Sequence, residues 1–537
     1  MKEQAAVWQP LQARLPEPDG VGEDGEVLQG GSMNSGEPMH SLVECPDKPI
    51  DGKGGQEIMY RQSDYPIVSG KPMKVGGEKG IAGTAREAGD TLARHRTGVQ
   101  VITKLAFLTR RARENPKERF TSLAHLLTED FLRACFWELK RDKAPGVDGV
   151  RVGEYEEDLE ENLRDLVGRL KAKRYRPQAV RRVYIPKGDG RLRGLGIPTV
   201  EDKIVQMGIK KILEAIFEVD FLDGVSYGFR PKRSAHDALD ALDKTVMTKP
   251  VNYVVDMDIE KFFDTIDHEW MMECLKQRIA DSSLLRLIGR FLKAGVMEGG
   301  QVLATGQGTP QGGIISPILA NIYLHYVLDL WFERRVKEQL RGYACLIRYA
   351  DDFVVCFQSE KEARAFGEML KERLAKFGLR VSEKKSRIIA FGRYVWQKAQ
   401  REGKKVEAFD FLGFTHYCDK TRRGAFKMGH KTARQRFRQK AKELNGWLKR
   451  VRNWVKLEEW WKVLQQKLVG HYRYYGISGN YPALMRFYRL ASKLAYKWIN
   501  RRSQRKSMSF DKYLRFLAYN PLPKPKIYHS IYTLSSY

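Results

Sequence analysis

The sequence predicts an α+β protein with a separate helical C-terminal part, and three observations carry that expectation. Short β-branched segments alternate with amphipathic helical ones through the middle of the chain. After about Met428 the pattern turns almost entirely helical and rich in Arg, Lys, Trp and Tyr. The first 95 residues hold 15 glycines and no sustained periodicity, so they are expected to be a disordered extension outside the fold.

Order is expected from near Val101. Leu123, Leu126, Leu127, Phe131 and Cys135 recur at helical spacing, with Thr128 placed to open a helix over Glu129–Lys140. A further helix spans roughly Tyr155–Lys173. Ala179–Pro186 and a second run ending at Ile197-Pro198 read as a basic hairpin, followed by a helix over Glu201–Phe217. Asn252–Ile259 is a strand, and Trp270–Ile279 and Ser283–Ala294 are helices. Ile314–Lys337 reads as one long helix. Ala344–Phe357 forms two strands about an acidic turn, Glu360–Phe377 is helical, and Phe411–Tyr417 is a strand.

Charge narrows the function. The 537 residues carry 95 Lys and Arg against 66 Asp and Glu, a net of +29. The excess is concentrated: residues 427–537 hold 26 basic and 4 acidic side chains, whereas residues 1–95 hold 10 and 15. A soluble chain so polarised is built for a polyanion, most often nucleic acid. Six scattered cysteines with no C-x-x-C pair argue against a zinc knuckle or a disulfide framework, and fit a reducing bacterial cytoplasm. No apolar run is long enough to span a bilayer, so no membrane partner is expected.

Arg348-Tyr349-Ala350-Asp351-Asp352-Phe353 lies between Leu346-Ile347 and Val354-Val355, which makes it a hairpin with adjacent carboxylates at its tip. Like charges that close raise one another's pKa unless a cation neutralises them, and Mg²⁺ prefers such oxygen ligands. In Val254-Val255-Asp256-Met257-Asp258-Ile259 a period of two puts Asp256 and Asp258 on one face. If that strand pairs with the hairpin, the carboxylates converge as the ligand set of a two-metal phosphoryl-transfer centre; the alternation leaves open which of Asp256 and Asp258 takes part. Gly306-Gln307-Gly308-Thr309-Pro310-Gln311-Gly312-Gly313 precedes the long helix and permits close backbone approach. Ile185-Pro186-Lys187-Gly188-Asp189-Gly190-Arg191-Leu192-Arg193 is a basic turn suited to triphosphate contacts.

These blocks, together with Lys143-Ala-Pro-Gly-Val-Asp148-Gly, Tyr227-Gly-Phe-Arg-Pro231, Val381-Ser-Glu-Lys-Lys-Ser386 and Phe411-Leu-Gly-Phe414, follow one another in an order that resembles the group II intron reverse transcriptases and maturases. The resemblance covers about residues 100–520. It implies a right-hand polymerase fold: N-terminal extension and fingers over 96–250, palm over 251–425, a helical basic thumb or maturase domain over 426–520, and a tail over 521–537. It implies RNA-directed DNA synthesis from dNTPs with two Mg²⁺ ions, and assistance to splicing and mobility of an intron RNA. Asp258 matches the first metal ligand, since Phe263 lies five residues on where a ribose-facing gate belongs. Asp351 matches the second ligand and Asp352 the supporting carboxylate. Gln311 matches a glutamine under the incoming nucleotide. Lys187 and Arg193, with Arg181, match residues that grip the triphosphate, and Lys384 or Lys385 approaches the primer end. Partners are thus intron RNA, an RNA template, and a DNA primer or target. Many relatives carry a C-terminal endonuclease; the sequence has no His-Asn-His arrangement or Cys pairs after the thumb, so a borrowed primer is expected. A defence reverse transcriptase without an intron, or a splicing factor with a vestigial polymerase, are the alternatives. About half or more of the thumb aromatics, among them Trp454, Trp460, Trp461, Tyr472, Tyr475 and Trp498, are expected to pack helices rather than touch RNA.

Overall fold

The computed structural model describes residues 103–186, 192–303, 306–309, 312–502 and 508–530. The glycine-rich first 95 residues, Lys187 and Gln311 therefore lie outside the described residues. In chain order the strands are β1 (Val180–Pro186), β2 (Leu192–Ile197), β3 (Tyr253–Met257), β4 (Val296–Glu298), β5 (Gln301–Leu303), β6 (Ala344–Tyr349), β7 (Asp352–Phe357), β8 (Arg387–Ala390), β9 (Phe409–Phe411), β10 (Phe414–Lys420) and β11 (Phe426–Thr432). They form three sheets, ordered β2-β1-β4-β5, β6-β7-β3-β8 and β11-β10-β9.

The second sheet carries the acidic turn. Its strands carry apolar side chains on both faces: Val254, Val255, Ile347, Val354, Val355 and Phe357 are all buried. Helix Glu360–Lys376 packs on β3 and β7. Antiparallel pairing of β3 with β7 sets Asp256 opposite Val354 and Met257 opposite Phe353, so Asp258, one step beyond, arrives beside the start of β7. β6 and β7 pair through Tyr349↔Asp352, leaving a two-residue turn. The basic hairpin β1–β2 forms as its sequence predicts and gains β4 as a parallel neighbour.

Helix starts follow local chemistry. Thr128 accepts a hydrogen bond from Phe131 N at the head of Glu129–Trp137, and Ser234 and Asp237 cap one another at the head of Ala235–Thr248. The expected helix over Tyr155–Lys173 is broken at Asp158 into Val152–Glu157 and Leu159–Lys171. The expected long helix Ile314–Lys337 is α-helical over Ser316–Leu324 and then passes through π-helical turns at His325–Asp329 and Phe332–Val336. The expected strand Phe411–Tyr417 is instead two strands, because Leu412 (φ 49°) and Gly413 (φ 80°) reverse the chain between β9 and β10.

Helices Arg434–Trp454, Leu457–Tyr475 and Tyr481–Ile499 pack together after β11. Trp460, Trp461, Tyr472, Tyr475 and Trp498 are buried among them, whereas Trp454 is 90% exposed. No helix among the described residues is long and apolar enough to cross a membrane.

Candidate active site

The acidic turn is held from beneath by an arginine. Arg348 is wholly buried, although it lies in an apolar strand two residues after Leu346 and beside Ile347. Its Nε and Nη2 donate to the two carboxylate oxygens of Asp329 at 2.7 and 2.5 Å, and Nη2 also donates to Ser226 Oγ at 2.8 Å. Nη1 donates to Asn321 Oδ1 at 3.1 Å and to the Ala350 carbonyl at 2.9 Å. That last bond fixes the turn itself, where Ala350 takes φ 58°. A left-handed non-glycine residue costs about 1–2 kcal/mol and persists only where its surroundings hold it.

A second clamp comes from the segment Val225–Gly228. Tyr227 N donates to the Arg348 carbonyl at 2.9 Å and Arg348 N donates to the Val225 carbonyl at 2.8 Å, so the segment runs beside β6 like a short extra strand. Gly228 then passes under the turn so closely that a Cβ would stand 2.2 Å from Ala350 N. Asn321 Nδ2 donates to the Gly228 carbonyl at 2.7 Å, tying this segment to the same helix that supplies Asp329.

Asp258, Asp351 and Asp352 are brought into one neighbourhood, and Asp256 joins them. Asp352 is exposed at the head of β7, the rest of which is buried, although protein crowds around its carboxylate. Its withdrawal from bulk water, with Asp351, Asp256 and Asp258 alongside, pushes its carboxyl up to about 7. Burial, and secondarily Asp258, pushes Asp351 up, while Arg193 opposes that shift from the basic hairpin. Burial raises Asp256 to about 6 against the pull of Arg387, whose guanidinium lies 3.8 Å away. Asp258 is held differently: Lys385 Nζ donates to its carboxylate, and its carbonyl accepts from Ser382 N at 2.8 Å. Between the two candidate lysines, the structure places Lys385 on Asp258 and leaves Lys384 exposed.

Among the described residues no three His, Cys, Asp or Glu side chains close a metal cage. The donor chemistry nonetheless fits Mg²⁺, which is ordinarily held by one or two carboxylates plus waters and substrate phosphates rather than by an all-protein cage. Mutually raised carboxylates also mark a local surplus of negative charge.

The glycine loop docks beside Phe263. Thr309 N donates to the Phe263 carbonyl and Gly308 N to the Ile266 carbonyl, both at 2.7 Å. His268 Nε2 donates to the Gly308 carbonyl at 2.6 Å. Gly308 has φ 86°, and a Cβ there would meet the Phe263 and Asp264 carbonyls at 2.8 Å; one on Gly312 would meet the Gly196 carbonyl of β2 at 2.7 Å. The loop thus bridges the Phe263 segment and the basic hairpin. Phe263 itself is half-buried, its ring edge-on to Phe262 at 5.3 Å. Arg193 is exposed on β2, whereas Arg181 donates to the Pro145 carbonyl at 3.1 and 2.7 Å and so secures the Lys143–Gly149 loop. Sequence reasoning missed the support set of Ser226, Gly228, Asn321, Asp329 and Arg348. Its one legible sign was an arginine inside an otherwise apolar strand, which demands a buried partner.

A reverse transcriptase (RNA-dependent DNA polymerase) family model matches residues 185–416, the span that contains this site. The group II intron-encoded protein LtrA of Lactococcus lactis is 40% identical over 243 residues, covering 43% of this chain and 40% of LtrA. Protein YkfC of Escherichia coli is 36% identical over 249 residues, covering 40% of this chain and 64% of YkfC. The mitochondrial nuclear intron maturase 4 of Arabidopsis thaliana is 29% identical over 133 residues, covering 24% of this chain and 16% of that protein. The chain therefore spans 40% of LtrA and 64% of YkfC rather than their whole lengths. The acidic hairpin, its paired strand and these likenesses coincide on one segment, which accordingly carries a reverse transcriptase domain similar to that of the group II intron-encoded protein LtrA.

Proposed function

We propose that the chain is an RNA-directed DNA polymerase that extends a DNA primer from dNTPs and also assists splicing and mobility of a group II intron. The observation that carries this reading is the gathering of Asp258, Asp351 and Asp352 at a hairpin turn fixed from below by Arg348. In this reading the central sheet is the palm, the β1–β2 hairpin and the helices before it are the fingers, and Arg434–Ile499 is the thumb. When bound, a pair of divalent ions would activate the primer 3′-hydroxyl and bear charge on the triphosphate and leaving pyrophosphate.

The chain's own residues divide the remaining work. Asp258 and Asp351 would hold the ions, with Asp352 supporting them. Arg193, electrostatically coupled to Asp351, would steady the triphosphate together with Lys187 and Arg181, the last by holding its loop. Gln311 would lie under the incoming nucleotide. The Phe263 ring would crowd a ribose 2′-hydroxyl and so favour dNTPs. Lys385, which reaches Asp258 in this structure, would swing toward the primer end, with Lys384 beside it. The 26 basic side chains of residues 427–537, against 4 acidic ones, would bind intron RNA through its phosphates.

Replacing Asp351 and Asp352 by Ala is expected to abolish extension of a DNA primer on an RNA template while leaving RNA binding within about threefold. Retained synthesis would remove the site assignment; loss of RNA binding as well would point to a folding defect, detectable by melting.

A further inference from the structure

One strongly basic surface lies apart from the acidic turn. Helix Arg393–Arg401 follows β8 and packs against β11. Trp396 turns inward against Phe426, with ring centroids 5.7 Å apart, and Arg393 Nη2 donates to the Met247 carbonyl at 2.6 Å. Its outer face presents Tyr394, Lys398 and Arg401 at positions i, i+4 and i+7, all exposed. Phe426 begins β11, so the helix stands beside the tip of the β10–β11 hairpin. There Thr421 N donates to the Ala425 carbonyl at 2.7 Å, and this tight turn exposes Arg422 and Arg423.

The patch is almost free of counter-charge. Its acids are engaged elsewhere: Glu402 with Lys404 at 2.9 Å, Asp419 with Lys427 at 3.3 Å, and Glu407 with Arg387 at 3.5 Å. Lys398, Arg401, Lys405, Lys420, Arg422 and Arg423 form no ion pair among the described residues, although Glu402, itself paired with Lys404, lies near enough to Lys398 to feel its charge. Crowding six cations without partners disfavours the fold by self-repulsion, and an external polyanion removes that repulsion.

Position separates this surface from the reaction centre. The end of β10 at Phe414 adjoins Asp410, which is close enough to Asp256 to raise its pKa. The hairpin tip lies six residues further along β10, about 20 Å at 3.3 Å per residue. Composition narrows the partner. Surfaces that hold single strands stack bases on several aromatic rings, yet Tyr394 is the one large aromatic exposed here among the described residues. Cations with a single ring read backbone phosphates, not unstacked bases.

We infer that this helix and hairpin tip form a second nucleic-acid surface that grips the phosphates of a double-helical segment, RNA or DNA, while another part of the polyanion occupies the acidic site. The surface goes beyond the polymerase reading and needs no metal, so the two can fail independently.

The test uses the full chain with two double variants, Lys398→Gln/Arg401→Gln and Arg422→Gln/Arg423→Gln, and a control, Arg364→Gln/Lys371→Gln, which removes the same charge from helix Glu360–Lys376. Affinities for an RNA hairpin duplex, a DNA duplex and an unstructured single strand are measured against salt, alongside primer extension on a template too short to reach the patch. Each patch variant should lose roughly tenfold or more in duplex affinity at 0.1 M salt, and its log–log salt slope should become shallower by about 1.8, from about 0.9 per phosphate contact. Extension on the short template should stay within twofold. Loss on only one of the two duplexes identifies which helix is bound. Unchanged duplex affinity and slope, an equal loss in the control, or an equal loss on the single strand would each overturn the inference.

Discussion

Arg348 offers a test that separates holding the turn from holding the fold. Replacing it by Met keeps most of the volume but leaves Asp329 wholly buried without its partner. Burial already pushes the Asp329 carboxyl up, and Arg348 is what opposes that push. Removing one member of a buried pair costs about 3–5 kcal/mol, a large part of the roughly 5–15 kcal/mol that keeps a domain folded. The double variant Arg348→Met/Asp329→Leu removes both charges, and such apolar replacements are often neutral, so its stability should return to within about 2 kcal/mol of the parent. Activity should not return with it. The Ala350 carbonyl has lost its donor and the left-handed residue its restraint, and a shift of about 1 Å in a reacting group costs on the order of 100-fold in rate. Urea unfolding followed with primer extension on both variants makes the comparison. If the double variant polymerises at the parental rate, or the single one loses under about 1 kcal/mol, the positioning role assigned to Arg348 is wrong.

Other outcomes follow from the same geometry. Gly228→Ala sets a Cβ 2.2 Å from Ala350 N and should cut primer extension at least 100-fold, whereas Gly168→Ala, in a helix with nothing within 4 Å, should be neutral or stabilise by up to about 1 kcal/mol; equal effects in the two would discredit the close-approach argument. Asp352 has a folded-state pKa of about 7, above the usual carboxylate value near 3.9. Its contribution to stability is therefore complete below about pH 4 and is lost as pH rises toward 7, and a divalent ion binds only the ionised form. The rise in melting temperature on adding Mg²⁺ should then be larger at pH 8 than at pH 6, and Asp352→Asn should flatten that dependence; a pH-independent rise contradicts it. Lys385→Ala uncovers Asp258. Because that pair is exposed and worth no more than about 1 kcal/mol, Mn²⁺ binding measured by electron paramagnetic resonance should tighten by about two- to fivefold, and unchanged or weaker binding would deny the competition.

Much of this was readable from residue order because the signals are local. Alternation in Val254–Asp258 and the apolar flanks of the acidic turn define strands whose pairing is forced by burial on both faces. Thr128 announces its helix through its cap, whereas the Ser234-capped helix Ala235–Thr248 was not anticipated. The Leu412-Gly413 reversal was not readable, because an apolar residue at positive φ has no sequence signature and Phe411 to Phe414 looks continuous. At the centre, alternation could not separate Asp256 from Asp258; the structure distinguishes them through their cations, Arg387 for one and Lys385 for the other. The support of the turn was hidden for another reason: Ser226, Asn321, Asp329 and Arg348 lie up to 122 residues apart, and only tertiary contact makes them one network.

The π-helical turn at His325–Asp329 controls that network through phase. An α-helix advances about 100° per residue, so Asn321 and Asp329, eight apart, would face directions about 80° different on a regular helix. Inserting the equivalent of one residue reduces the effective separation to seven and the angle to about 20°, and both side chains then meet the same guanidinium. The helix therefore tolerates changes of residue, or loss of the extra one, more readily than added length. Deleting one residue within 325–328 would absorb the bulge and leave Asp329 about 20° from Asn321 on a regular helix, whereas inserting one there would rotate Asp329 away by about 100° and strand a charged arginine beneath the acidic turn, even if every other side chain were unchanged.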